Sequence, residues 1–249
     1  MDRALKEAIH VNRLVAVERV AHINPKSRFE RKGPWLLVDT GEPEFAAANS
    51  ATPVTRAAAS DISAAIEWFE GSAPSFPFIV RTNADDALRA ELGRLGYQPA
   101  PSERAMVLEA PRRLPYDGPL SIREVKSGLD IDIYGGVNWP PGLQHVGIAI
   151  ARTAARLGFM LLLGELDGRP IACSMAVVTD AIVGIYNVGV QEPYRRRGFG
   201  AAITWAAVEA GLHAGATTAW LGASEMAYGL YRRLGFVEHF EYLHLELPK

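Results

Sequence analysis

The chain has 249 residues, of which 49% are apolar and 22% charged, with a formal net charge of −2. That balance is ordinary for a folded globular protein and excludes disorder and collagen-like repeats. Neither half carries the basic excess of a nucleic-acid binder, and no apolar run approaches the roughly 18 to 20 residues of a membrane span. The opening stretch MDRALKEAIHVNRLVAVERVAH scatters charges through its apolar positions, unlike a secretory signal, and the single cysteine, Cys173, lacks an internal disulfide partner. The expectation is a cytoplasmic protein in which Cys173, within the apolar run IACSMAVV, is a buried structural thiol.

In chain order, Leu5, Ile9, Leu14, Val17 and Val20 recur at mostly three- to five-residue spacings, which predicts an amphipathic helix with Asp2 as its cap. PWLLVDTGEPEF reads as a short strand and a Gly and Pro turn, and DISAAIEWFEG as a helix ended by Gly71, with Ile62, Ile66 and Phe69 on one face. FPFIVRT is a strand, Asn83 caps a helix in ADDALRAELGRLG, and AMVLEA is a closing strand. From Glu109 to Ser121, EAPRRLPYDGPLS has prolines, a glycine and no apolar periodicity, the signature of a linker. The chain therefore divides into residues 1–115 and 116–249.

Beyond the linker, LSIREV is a strand, SGLDIDIYGGVNWPPG is helical or looped, and LQHVGIAIARTAARLG is a helix. FMLLLGEL and PIACSMAVV form a hairpin across Asp167-Gly168-Arg169. AIVGIYNVGV is a third strand, GFGAAITWAAVEAGLHAG a long helix, TTAWLGAS a strand, EMAYGLYRRLG a helix and FEYLHLEL the last strand. The two parts echo one another: GRLGY (Gly93 to Tyr97) and RRLGF (Arg232 to Phe236) each end a helix that lies between strands, which favours a duplication.

Between the third strand and the long helix stands Arg195-Arg196-Arg197-Gly198-Phe199-Gly200, an R-x-x-G-x-G turn. A helix N-terminus leaves four N–H groups without partners and carries roughly half a positive charge. Glycines remove the Cβ atoms that would hold a phosphate off the backbone. Amides, dipole and guanidinium groups together favour a diphosphate over the alternative of a solvated basic helix entry. Neither G-x-x-x-x-G-K-[ST] nor G-x-G-x-x-G is present, so nucleoside triphosphates and NAD are disfavoured.

Val190-Gln191-Glu192-Pro193-Tyr194, the turn after it, and SEMAYGLYRRLGF (Ser224 to Phe236) resemble the motifs of the GNAT superfamily of acyl-CoA N-acyltransferases, in the same order. The resemblance covers Gly118 to Leu247. It implies an α+β fold with a mixed sheet, acetyl-CoA as donor and a small-molecule or peptide amine as acceptor. By the same resemblance, Val188, Gly189 and Val190 line the pantetheine arm, and Arg195, Arg196, Arg197, Gly198, Phe199, Gly200 and Ala201 hold the diphosphate. Tyr231 protonates the departing thiolate, and Ser224 stands where the family often has a cofactor-contacting asparagine. Serine there can still cap the helix.

The base is open. AIVGIYNVGV has no carboxylate, and Gly184 lies about where some members carry a glutamate. Tyr186 and Asn187 could order a relaying water, and His145, Asp130 and Asp132 are other candidates; Trp139, Pro140, Pro141 and Tyr134 hint at an aromatic acceptor wall. The first part has no such turn and has Leu92 in the place of Tyr231, so it reads as a degenerate acetyltransferase half. A non-catalytic acyl-CoA sensor or interaction module is the alternative.

Overall fold

The computed structural model describes residues 3–41, 48–71, 76–111, 118–140 and 142–248. Asp2, Glu42 to Phe45, much of the linker around Pro115, and Pro141 lie outside them. The helices are α1 (Arg3–Val20), α2 (Ile62–Phe69), α3 (Asp86–Arg94), α4 (Gly128–Val137), α5 (Gln144–Arg156), α6 (Phe199–His213) and α7 (Glu225–Arg233). The strands are β1 (Arg28–Lys32), β2 (Trp35–Asp39), β3 (Ser50–Pro53), β4 (Phe78–Arg81), β5 (Gln98–Glu109), β6 (Ser121–Glu124), β7 (Met160–Leu166), β8 (Arg169–Thr179), β9 (Ile182–Val190), β10 (Thr218–Ala223) and β11 (Val237–Glu246).

Among the described residues, eleven strands join in one mixed sheet, in the order β1-β2-β3-β4-β11-β5-β10-β9-β8-β7-β6. Pairing is parallel at β3/β4 and β9/β10 and antiparallel elsewhere. Read outward from the central β11/β5 pair, the order is the same in both directions up to β1 and β7, and β6 has no counterpart among the described residues. The connections match too: β3-α2-β4-α3-β5 in the first half repeats as β9-α6-β10-α7-β11 in the second. Each half sends its last strand across the centre, so β5 lies between two strands of the second half, with Ala105 opposite Gly222 and Arg104 opposite Ala223.

The echoed sequences fold alike. Tyr97 N–H bonds Leu92 O at 3.0 Å and Gly96 N–H bonds Gly93 O at 3.1 Å; Phe236 N–H bonds Tyr231 O at 3.0 Å and Gly235 N–H bonds Arg232 O at 3.1 Å. These are the wider and narrower closing bonds of one helix C-cap, made twice.

One sheet face is covered by α2 and α3 over the first half and α6 and α7 over the second. Alanine-rich α6 packs Ala202, Ile203, Ala207 and Val208 on Val183, Ile185, Ala219 and Leu221. The opposite face holds α1 with α4 and α5. Helix α1 is enclosed rather than one-faced: His10, Asn12 and Arg13 are buried along with Ile9, Leu14 and Ala16. Its Leu14 meets Leu36 and Val38 of β2, while Ala16 meets the cluster of β7 and β8. The simple amphipathic expectation fails because both halves wrap this helix.

Two strands carry no sequence signal of the expected kind. Edge strand β1, RFERK, is largely exposed, and β3, SATP, is short and buried throughout. Strand β5 begins at Gln98, well before AMVLEA, because β10 and β11 pair along it. Asn83 is not the cap of α3. Asp85 holds that position and turns its carboxylate back to Arg81 N at 2.8 Å.

Candidate active site

Strands β9 and β10 are paired from Ile182 with Thr218 to Ile185 with Leu221, then part although both continue. A bulge drives the parting. Opposite β8, Cys173 faces Gly189 but Met175 faces Tyr186, so β9 carries one extra residue, and Asn187 there has φ 50°. Helix α4 and its exit clamp the bulge: Asn138 Nδ2 donates to Asn187 Oδ1 at 3.0 Å, and Asn187 Nδ2 to Tyr134 Oη at 3.3 Å. Gln191 N–H bonds Ile171 O at 2.9 Å, so by antiparallel alternation the peptide groups of Val190 point away from β8, toward the gap.

The chain then makes a tight turn, with Tyr194 N–H bonded to Gln191 O and Arg195 N–H to Glu192 O. Arg196 (φ 63°) and Gly198 (φ 85°) are left-handed, and glycine is the residue that takes this conformation without steric cost. The first intrahelical bond of α6 is Ala202 N–H to Gly198 O at 3.1 Å. Among the described residues, the N–H groups from Arg196 to Ala201 have no protein acceptor, and Arg195 to Gly198 are exposed. The N–H groups of the exposed Arg196, Arg197 and Gly198 thus stand at the positive end of a fifteen-residue helix, with those of Phe199 to Ala201 unpartnered behind them.

The three arginines differ. Arg195 Nε donates to Val190 O at 3.0 Å and closes the turn. The Arg197 guanidinium lies 5.9 Å from the Tyr194 ring and 5.1 Å from that of Phe199. The Phe199 side chain is buried in the core, with Arg197 of the turn over its ring.

Tyr231 packs under α6, 5% exposed, with its ring against Phe236. Burial pushes its hydroxyl up to about 12, against the opposing effect of a hydrogen bond with Thr204. It therefore stays protonated at neutral pH. Thr204 Oγ1 in turn donates to Gly200 O at 2.8 Å, which ties the tyrosine to the first turn of α6. Ser224 is at the N-cap of α7 and exposed, but its hydroxyl makes no capping bond; its carbonyl accepts from Ala227 and Tyr228.

The base candidates fare unequally. Asp130 is bonded by Arg123 at 2.9 and 3.0 Å and Asp132 by Arg152 at 2.7 and 2.6 Å, and these bonds hold both carboxyls below their ordinary range. Neither is suited to accept a proton. His145 is exposed in the first turn of α5. Tyr186 donates to Asn12 Oδ1 at 2.8 Å, and burial pushes its hydroxyl up.

Asn12 was not foreseen. Its Oδ1 also accepts from Trp220 Nε1 at 2.9 Å, and its Nδ2 donates to Val177 O at 3.1 Å and Thr179 Oγ1 at 2.9 Å. It occupies the space a side chain at Gly184 would need, where the glutamate of the resemblance would stand. A helix residue 172 positions away leaves no local signal for that role. Trp139 and Pro140 line a cavity of about 470 Å³ beside Val190 and Gln191, whereas Tyr134 belongs to the buried core. Cys173 is buried, and burial pushes its thiol up to about 12.

A parted parallel strand pair, an open helix end and a buried tyrosine beneath it define the class: the chain has the fold of the GNAT acyl-CoA N-acyltransferases. Residues 131–236 match the model of the acetyltransferase (GNAT) family. Solved structures similar over nearly the whole chain include a GCN5-related N-acetyltransferase from Kribbella flavida, at 19% identity, covering 98% of this chain and 95% of that one, with a TM-score of 0.74. A functionally unknown conserved protein from Staphylococcus epidermidis is 19% identical, with coverages of 90% and 95% and a TM-score of 0.67. A tandem GNAT protein from the clavulanic acid biosynthesis pathway is 13% identical, with coverages of 94% and 88% and a TM-score of 0.64. No curated protein sequence matches the chain. Among the described residues, no helix is long and apolar enough to cross a membrane.

Proposed function

We propose that the protein is a cytoplasmic N-acetyltransferase that moves an acetyl group from acetyl-CoA to a primary amine. The observation that carries this reading is the row of unpartnered N–H groups from Arg196 to Ala201 at the start of α6, the first three of them on exposed residues. Such a row suits the diphosphate of the donor. The outward N–H of Val190 would pair with the pantetheine arm, which Val188 and Gly189 would also line, and Ser224 would lie beside it. Tyr231, kept protonated by burial, would give its proton to the departing thiolate.

Residues 116–249 form the catalytic half in this reading, and residues 1–115 a degenerate duplicate that serves as scaffold and acceptor-site wall. The matching connections, the paired helix caps and the likeness to a protein described as a tandem GNAT support the duplication. A non-catalytic acyl-CoA sensor is the second reading. Asn12 in the space beside Gly184, which leaves no carboxylate on β9, favours it.

A screen of primary amines with acetyl-CoA, monitored by release of CoA thiol, separates the two. Amine-dependent release is expected; CoA binding without release from any amine would establish the sensor.

A further inference from the structure

At the parting of β9 and β10, the side chain over β10 comes from the first half. Gly222 is the first residue beyond the last β9/β10 pair, and the Oε2 atom of Glu103, on β5, lies 2.8 Å from where a Cβ on Gly222 would stand. Any larger residue at 222 would displace this carboxylate. Arg13 of α1 donates to the same Oε2 at 2.7 Å, while Oε1 has no hydrogen bond among the described residues, and the side chain is 37% exposed. Arg13, with a further contribution from His244, holds the Glu103 carboxyl below its ordinary range, so it is an anion at neutral pH.

Arg104, next in β5 and on the opposite face, is met by Glu225 at 2.7 Å, Glu241 at 3.5 Å and Glu238 at 3.8 Å. The Arg104 charge is thus met by carboxylates of its own face, and Glu103 is paired with Arg13 on the other. The other side of the gap carries the three consecutive arginines of the turn. An anionic donor and a cationic acceptor would approach such a site from opposite sides.

We propose that Glu103 is an acceptor-binding residue: the first half lends it across the strand exchange to receive the acceptor's ammonium group, and the acceptor is a cationic amine without an adjacent carboxylate. This rests on the transferase reading above.

The test measures thiol release with acetyl-CoA and L-phenylalaninamide, L-phenylalanine or spermidine, in the wild type, Glu103→Gln and Glu103→Asp. Glutamine can still accept the Arg13 bond, so Glu103→Gln should fold. It should raise the KM of the amide and of spermidine by about tenfold and leave the KM of acetyl-CoA unchanged. The wild type should prefer the amide to the free amino acid by about tenfold, and Glu103→Gln should narrow that preference. Glu103→Asp, which keeps the charge, should restore most of the lost affinity and also serves if the glutamine variant melts too low to assay. Thiol release with an unmoved acceptor KM in both variants would overturn the role of Glu103 alone. No release from these three amines, with release from another amine of the screen, would overturn the role of Glu103; no release from any amine would overturn the transferase reading and this role with it.

Discussion

The protein contains two parallel strand pairs that part, and they are finished in opposite ways. In the first half, β3 and β4 share one register pair, Ala51 with Phe78, and then diverge. There His10 of α1 donates Nε2–H to Pro53 O at 2.7 Å, with Tyr242 Oη 3.3 Å from its Nδ1. At the entry to α2, Asp61 N–H bonds Ala58 O and the Asp61 carboxylate accepts from Ala58 N–H at 2.7 Å. The protein's own carboxylate sits at that helix end. In the second half, the corresponding entry has two left-handed residues, three arginines and unpartnered N–H groups. Identical topology therefore does not make a site; the residues that fill or leave open the strand ends and the helix entry do.

The same helix serves both partings, through His10 at the first and Asn12 beneath the second, so the largest effect should come from removing Asn12. Asn12→Ala would strand the Trp220 and Tyr186 donors in the core, and a loss of about 2–4 kcal/mol in urea unfolding is expected. A loss below about 0.5 kcal/mol, the scale of an ordinary surface change, would break the idea that α1 joins the halves. Next, Tyr231→Phe should lower kcat by about a hundredfold with CoA affinity nearly unchanged, as steady-state kinetics and calorimetry would report. Equal losses in both would move Tyr231 from chemistry to binding.

The first parting should respond to acid. Burial, with the Arg81 charge nearby, lowers His10 to about 3 from an unfolded value of 6.5, so between those values the unfolded chain binds the extra proton. The His10 contribution is complete above pH 6.5 and declines as pH falls below it, by up to about 1.4 kcal/mol per unit. Urea midpoints at pH 7 and 5.5 should therefore fall less steeply in His10→Gln than in the wild type; parallel slopes would contradict the buried neutral imidazole. The smallest effect belongs to Asp61→Ala, about 0.5–1 kcal/mol of stability at the α2 entry. It should create no CoA binding in the first half, because that entry lacks the glycine and arginine turn.

Much of the second half is legible because its signals are local. R-x-x-G-x-G becomes the left-handed turn and open helix end, and the Leu-Gly-aromatic echo becomes the same helix cap twice. What escaped depends on contacts between distant segments. Strand β5 is long because β10 and β11 flank it, and β1 and β3 are strands through pairing rather than through apolar alternation. Asn12 and Glu103 reach the second half's strand gap from residues that lie far away in the sequence. Asp130 and Asp132 look available as bases in the sequence, yet Arg123 and Arg152 engage them. Asp85, not Asn83, stands at the N-cap of α3, with its carboxylate turned to the Arg81 backbone.

Titration calorimetry of CoA into the wild type and Gly198→Asp measures the open helix end most directly. One CoA per chain should bind the wild type, and the substitution, which combines left-handed strain with a carboxylate among the amides, should weaken binding by about a hundredfold, or about 2.7 kcal/mol. No heat at millimolar CoA, two molecules per chain, or equal affinity in the variant would contradict the account.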